Sequence, residues 1–138
     1  MYFKGDKMLV KDVMRKNNLA VIKPMATIRE ALNMMREERV KSLIVDKIRK
    51  SDAYGMLTYK NIMFSIVAND GDIDLLRVYD ICSKPAYQVS EELDLKYAAQ
   101  MMVRSNVKRL LVIDNNELEG ILTMTDIMNT YIKNMIDE

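Results

Sequence analysis

The sequence predicts an α/β (α+β) fold: two pseudo-twofold-related repeats, each β-α-β-β-α, forming one compact module. Three observations lead there. The chain repeats itself in order and in spacing. Within each repeat the apolar period alternates between that of a helix and that of a strand. A chain of 138 residues suits one small domain, or two very small units that share a core.

Residues 10–66 align with residues 78–131 across two small gaps. Identical pairs run from Val10/Val78 and Asp12/Asp80 through Ala31/Ala98, Met34/Met101, Met35/Met102, Val40/Val107 and Lys41/Lys108. They continue with Leu43/Leu110, Val45/Val112, Gly55/Gly120, Leu57/Leu122, Thr58/Thr123, Ile62/Ile127 and Met63/Met128. The order never breaks, so the repeats are assigned to residues 7–69 and 75–135.

Each repeat opens with a short strand, Leu19–Ile22 or Tyr87–Val89. An amphipathic helix follows, with Ile28, Ala31, Leu32 and Met35 at helical spacing, matched by Leu95, Ala98, Ala99 and Met102. Next comes a buried strand, Leu43–Val45 or Leu110–Ile113, too short and too β-branched for a helix. Asp114-Asn115-Asn116-Glu117 supplies good turn residues in repeat two, whereas Lys47–Asp52 turns less tidily in repeat one. The closing strands are Gly55–Thr58 and Gly120–Thr123, and final helices begin near Lys60 and Thr125. Asp70-Gly71-Asp72 breaks the first of these. One unit leaves an apolar face half covered and two packed together bury it, which predicts a cleft between the repeats.

Composition narrows the function. With 21 basic against 20 acidic residues and a net charge of +1, the chain offers no global field for nucleic acid. No apolar run approaches the roughly 20 residues of a membrane span, and Met1–Asp6 lacks the apolar stretch of a secretory leader. The single cysteine, Cys82, cannot form an internal disulfide, so a reducing, cytoplasmic setting is expected. There is no histidine, which removes the commonest general base and zinc ligand. The four glycines are too scattered for a phosphate loop. Glu37-Glu38 and Glu91-Glu92 are not catalytic pairs, because adjacent helical residues do not face each other. These absences predict no enzyme and no metal site.

Val107-Lys108-Arg109-Leu110-Leu111-Val112-Ile113-Asp114, a turn, then Gly120-Ile121-Leu122-Thr123-Met124-Thr125-Asp126-Ile127-Met128 resembles the second half of a CBS (cystathionine-β-synthase) domain. Val10–Met14 and Val78–Cys82 are similar to the lead-ins of such domains, and Pro24–Leu32 to the entry into their first helix. The resemblance spans residues 7–135 and occurs twice. It implies a Bateman-type pair, often dimerised, with nucleotide sites in the cleft between repeats. The ligands it implies are AMP, ADP, ATP or S-adenosylmethionine, held for regulation of an attached or partner protein rather than as catalytic cofactors. With no attached domain in this sequence, a separate and unknown regulated protein is expected, with no role for nucleic acid or membrane.

Thr123-x-x-Asp126 at a strand-to-helix junction is the leading candidate site. A hydroxyl and free N–H groups at a helix start suit a phosphate, and a carboxylate there can accept from ribose hydroxyls; the resemblance gives Thr123 and Asp126 these two roles. The same residues also suit ordinary capping, with Thr125 as N-cap and Asp126 as a first-turn acid. Arg109 opens a strand where the resemblance puts a phosphate-binding basic residue, and Lys108 stands where gamma-type members often carry histidine; the two also read as a solvated pair. Repeat one keeps Thr58 but has Asn61 for the acid and Ser42 for the basic residue, so its site is expected to be empty, weaker or suited to a different ligand. Ile22, Val89, Tyr87 and Ile121 are candidates for an adenine slot, with Tyr87 able to stack on the base or to sit half-buried in the core.

Thirteen methionines include Met34 and Met101, one position off the core stripe in both repeats. They suggest either a second contact surface for a homodimer or simple core filler. The leading function is a nucleotide-sensing regulatory module; the alternative is a ligand-free dimerisation or scaffold module.

Overall fold

The computed structural model describes residues 7–137; the expectation for Met1–Asp6 lies outside them. The chain divides into two compact units. One is residues 20–86 and the other joins residues 7–19 to residues 87–137.

The first unit holds β1 (Val21–Ile22), α1 (Ile28–Glu38), β2 (Ser42–Val45), β3 (Gly55–Thr58), α2 (Tyr59–Ile62) and a π-helical segment, Met63–Ala68. It closes with α3 (Val78–Ile81). The second unit starts with a 3-10 turn, Val10–Asp12, and continues with β4 (Gln88–Val89), α4 (Leu95–Ser105), β5 (Arg109–Asp114), β6 (Glu117–Thr123) and α5 (Met124–Ile136). Each unit has one three-stranded sheet, in the order β1-β2-β3 or β4-β5-β6. In both, the first pair is parallel and the second antiparallel. The expected mixed fold with repeated β-α-β-β-α order is therefore present.

The lead-ins are distributed in a way the repeat alignment does not reveal. Val10 lies in a core with Val89, Leu95, Ala98, Met102, Leu110, Val112, Leu122 and Ile127, all from repeat two. Val78 lies in the core of repeat one, among Ile22, Ile28, Ala31, Met35, Leu43, Val45, Leu57 and Ile62. Each repeat's opening turn thus completes the core of the other repeat's body. Burying a side chain of this kind stabilises by about 1.5–3 kcal/mol.

Local chemistry explains the boundaries. Thr27 caps α1 with a reciprocal box: its Oγ1 accepts the Glu30 N–H at 3.1 Å while Glu30 Oε1 accepts the Thr27 N–H. Asp94 caps α4 through the Lys96 N–H. The β5–β6 hairpin turns on Asn115 and Asn116, with φ of 50° and 61°, the left-handed pair of a two-residue hairpin turn. In repeat one the longer loop is held by Lys84 Nζ donating to Asp52 Oδ2 at 2.6 Å, which keeps the Asp52 carboxyl below the usual carboxylate range. Gly71 ends the π-helical segment, its N–H donating to the Ser65 and Ile66 carbonyls. A Cβ there would lie 2.5 Å from the Ser65 oxygen.

Met34 and Met101 are partly buried and pack against their own cores. A more exposed apolar face lies on α5, where Met124, Met128, Ile132, Met135 and Ile136 recur at helical spacing. Met63, Phe64 and Val67 are exposed in the matching segment of the other unit.

Candidate functional site

Cross-strand register brings the leading candidates together. Arg109 and Thr123 are direct partners across β5 and β6, so their side chains share a face of the sheet. The alternating positions Leu110, Val112 and Leu122 point to the helix-packed core. Leu111 and Ile121, partners in the next row on the Arg109–Thr123 face, are buried but outside that core.

Thr123 is the N-cap of α5, and its Oγ1 accepts the Asp126 N–H at 3.1 Å. The alternative with Thr125 as N-cap is therefore not adopted, because Thr125 already lies within the helix. Asp126 occupies the third helical position. Its side chain is only 25% exposed, and Oδ2 is buried without any hydrogen-bond donor.

Arg109 is half-buried, and loss of hydration moves its guanidinium pKa below the ordinary value. Among the described residues no carboxylate pairs with it and no acceptor takes its protons. The site therefore has a half-buried cation without an anion and a buried carboxylate oxygen without a donor. Both lie near the junction of β6 and α5.

The other candidates scatter. Lys108 is exposed, and its carbonyl accepts the Met124 N–H at 2.9 Å. Tyr87 is exposed rather than half-buried in a core; its carbonyl accepts the Leu111 N–H. Ile121 lies on the Thr123 face. Val89 and Ile22 belong to the helix-side cores of their units and so do not present side chains on that face.

Repeat one closes its equivalent position with its own hydrogen bonds. Thr58 caps α2, and Asn61 Oδ1 accepts both the Thr58 N–H (2.9 Å) and the Thr58 hydroxyl (3.1 Å). Asn61 Nδ2 donates to Ser83 Oγ at 3.2 Å. Ser42 stands across from Thr58, where repeat two has Arg109 across from Thr123.

One residue was missed from sequence. Arg15 pairs its backbone with Ile121 through two bonds of 2.9 Å, and its Nε lies 3.9 Å from Asp126 Oδ2. Ser83 makes the same backbone bridge to Met56. The alignment that matches Val10 with Val78 also matches Arg15 with Ser83, but nothing in it indicates which strand the lead-in joins. No group of three or more potential metal-ligating carboxylates or thiols occurs among the described residues, nor is any helix among them long and apolar enough to cross a membrane.

Comparison with known proteins adds the family. The model of the CBS domain matches residues 10–68 and again residues 78–133. The chain is 30% identical over 118 residues to the Methanopyrus kandleri protein MK0525, covering 83% of this chain and 60% of that protein. It is 28% identical over 125 residues to the CBS domain-containing protein YhcV of Bacillus subtilis, covering 91% of this chain and 86% of that protein. Among solved structures, a hexameric CBS-CP12 protein from bloom-forming cyanobacteria superposes with a TM-score of 0.81 at 30% identity, over 88% of this chain and 67% of that one. The CBS domain of a bacterial CNNM/CorC family Mg2+ transporter, solved in complex with ATP, superposes with a TM-score of 0.77 at 22% identity, over 91% of this chain and 87% of that one. Two matched segments in tandem, carried by two units of the same strand order, make the chain a member of the CBS domain family with a CBS pair.

Proposed function

We propose that this CBS pair is a regulatory module that binds one adenosine nucleotide at Thr123, Asp126 and Arg109 and acts on a separate partner protein. The observation that carries the reading is the mismatch at the β6–α5 junction. Arg109 lacks an anion and Asp126 Oδ2 lacks a donor, and both neighbour Thr123: Arg109 pairs with it across the sheet and the Asp126 N–H donates to its Oγ1. A buried polar group without a partner costs about 1–3 kcal/mol, so the arrangement is better satisfied by a ligand that has both phosphate oxygens and hydroxyl donors. Thr123 and the start of α5 add to the phosphate side, and exposed Tyr87 and Lys108 remain available at the periphery. The ATP complex of the CNNM/CorC CBS domain supports an adenosine ligand.

Asymmetry between the repeats follows from the same bonds. Asn61 is already satisfied by Thr58 and Ser83, and Ser42 brings no charge. A ligand at about 100 times its dissociation constant stabilises the folded state by roughly 2.7 kcal/mol, a rise of about 5–10 °C in melting temperature for a chain of this size. Melting scans with AMP, ADP, ATP and S-adenosylmethionine test the reading. At least one should give that rise, and Asn61→Ala should retain it. If none moves the curve, nucleotide sensing is wrong.

The exposed apolar stripe of α5 favours a second property, self-association. Contiguous apolar patches of this kind mark interaction surfaces, and the hexameric CBS-CP12 neighbour is consistent with assembly. A homodimer is expected in sedimentation at tens of micromolar, with Met128→Glu shifting it to monomer. A wild-type monomer at that concentration rejects the assignment.

A further inference from the structure

We infer that Arg15 sets the charge class of the ligand, selecting nucleoside di- and triphosphates over the monophosphate and over cationic ligands such as S-adenosylmethionine. The inference rests on the nucleotide reading above and goes further by naming the ligand class and the residue that chooses it.

Its basis is a second cation anchored by its backbone on the same face of the sheet, across β6 from the first. Arg15 is held on the outer side of β6 by two backbone bonds to Ile121, in the row next to Arg109 and Thr123. Direct partners on adjacent strands share a face, as do positions two apart on one strand. Arg15, Ile121, Thr123 and Arg109 therefore line one face of the same sheet. The contact at 3.9 Å between Arg15 Nε and Asp126 Oδ2 shows that the guanidinium reaches the first turn of α5. That distance is too long for a hydrogen bond, so Arg15 is attracted to Asp126 without satisfying it. Its side chain is 53% exposed.

Two guanidiniums against one carboxylate leave an excess of positive charge around the junction. One phosphate suffices for Arg109, and a second anionic group gives Arg15 a partner while Asp126 is released to accept hydroxyl donors. A monophosphate offers Arg15 little, and a sulfonium ligand is repelled by both cations. Repeat one shows the contrast: Ser83 and Ser42 replace the two arginines, and Asn61 replaces the acid.

Arg15→Ser is the informative variant. The bonds to Ile121 use only backbone atoms, and Ser83 forms the same bridge in repeat one, so the variant keeps its strap. Dissociation constants for AMP, ADP and ATP without magnesium, and for S-adenosylmethionine, are measured by calorimetry. Wild type should bind ADP or ATP at least tenfold more tightly than AMP, a difference of about 1.4 kcal/mol, and S-adenosylmethionine worst. Arg15→Ser should reduce the ADP/AMP and ATP/AMP ratios to about threefold or less while AMP affinity changes less than threefold. Arg15→Lys should retain most of the preference. The preference should also fall with added salt in wild type more than in Arg15→Ser. Equal affinity of wild type for AMP and ATP, or an equal loss for every nucleotide in Arg15→Ser, overturns the charge-selection role while leaving nucleotide binding intact. Absence of binding by all four overturns both.

Discussion

Gly120→Ala is expected to destabilise the unit that carries it by about 2–4 kcal/mol, in the range of severe single substitutions. A Cβ at this position would lie 2.5 Å from the carbonyl oxygen of Arg15 and 3.4 Å from Met14 Sδ. The obstacle is backbone, so no rotamer change relieves it. That same oxygen accepts the Ile121 N–H, so moving it away lengthens both bonds that fasten the lead-in to β6. Gly55, the counterpart in repeat one, has more room: its Cβ would sit 3.0 Å from the Ser83 oxygen and 3.3 Å from Cys82 Sγ. Urea unfolding of the two alanine variants should therefore rank Gly120→Ala clearly below Gly55→Ala. A Gly120→Ala protein as stable as wild type would mean that the strap adjusts freely.

The second large effect separates binding from folding. Asp126→Ala should remove most of the ligand-induced stabilisation, about 2.7 kcal/mol at a hundredfold excess over the dissociation constant. Without ligand its unfolding free energy should stay within about 1 kcal/mol of wild type, because the contributions oppose one another. Alanine removes a buried oxygen that has no donor. It also removes a first-turn acid worth about 0.3–1 kcal/mol and a partly exposed attraction to Arg15 worth about 0–1 kcal/mol. A large loss of ligand-free stability would mark Asp126 as a structural residue. An undiminished ligand shift would place the nucleotide elsewhere.

The fold was legible because its signals are local and occur twice. Helical spacing from Ile28 to Met35 and from Leu95 to Met102 matches α1 and α4, and the β-branched runs match β2 and β5. Boundaries moved by one to three residues where caps and register decide, as when Thr123 rather than Thr125 became the cap and β6 began at Glu117 rather than Gly120. The candidate site was only partly legible. Thr123, Asp126 and Arg109 stand close in sequence or pair through a short hairpin, so their proximity follows from local rules. Arg15 arrives from far away, and no period or turn residue in the lead-in specifies that it pairs with Ile121. Alternation along β4 and β1 sends Val89 and Ile22 to the core, a matter of register that two-residue strands hardly express.

The exchange of lead-ins has a consequence for synthesis. Residues 7–19 are made before residues 20–86, yet the strand that Arg15 joins is made about a hundred residues after it, a loop whose closure carries its own entropic cost. The middle segment, residues 20–86, has its whole core in hand before β4 is translated. Residues 7–19 must wait, unpaired, until β6 has been made, so the unit with the proposed site is completed after the unit of residues 20–86.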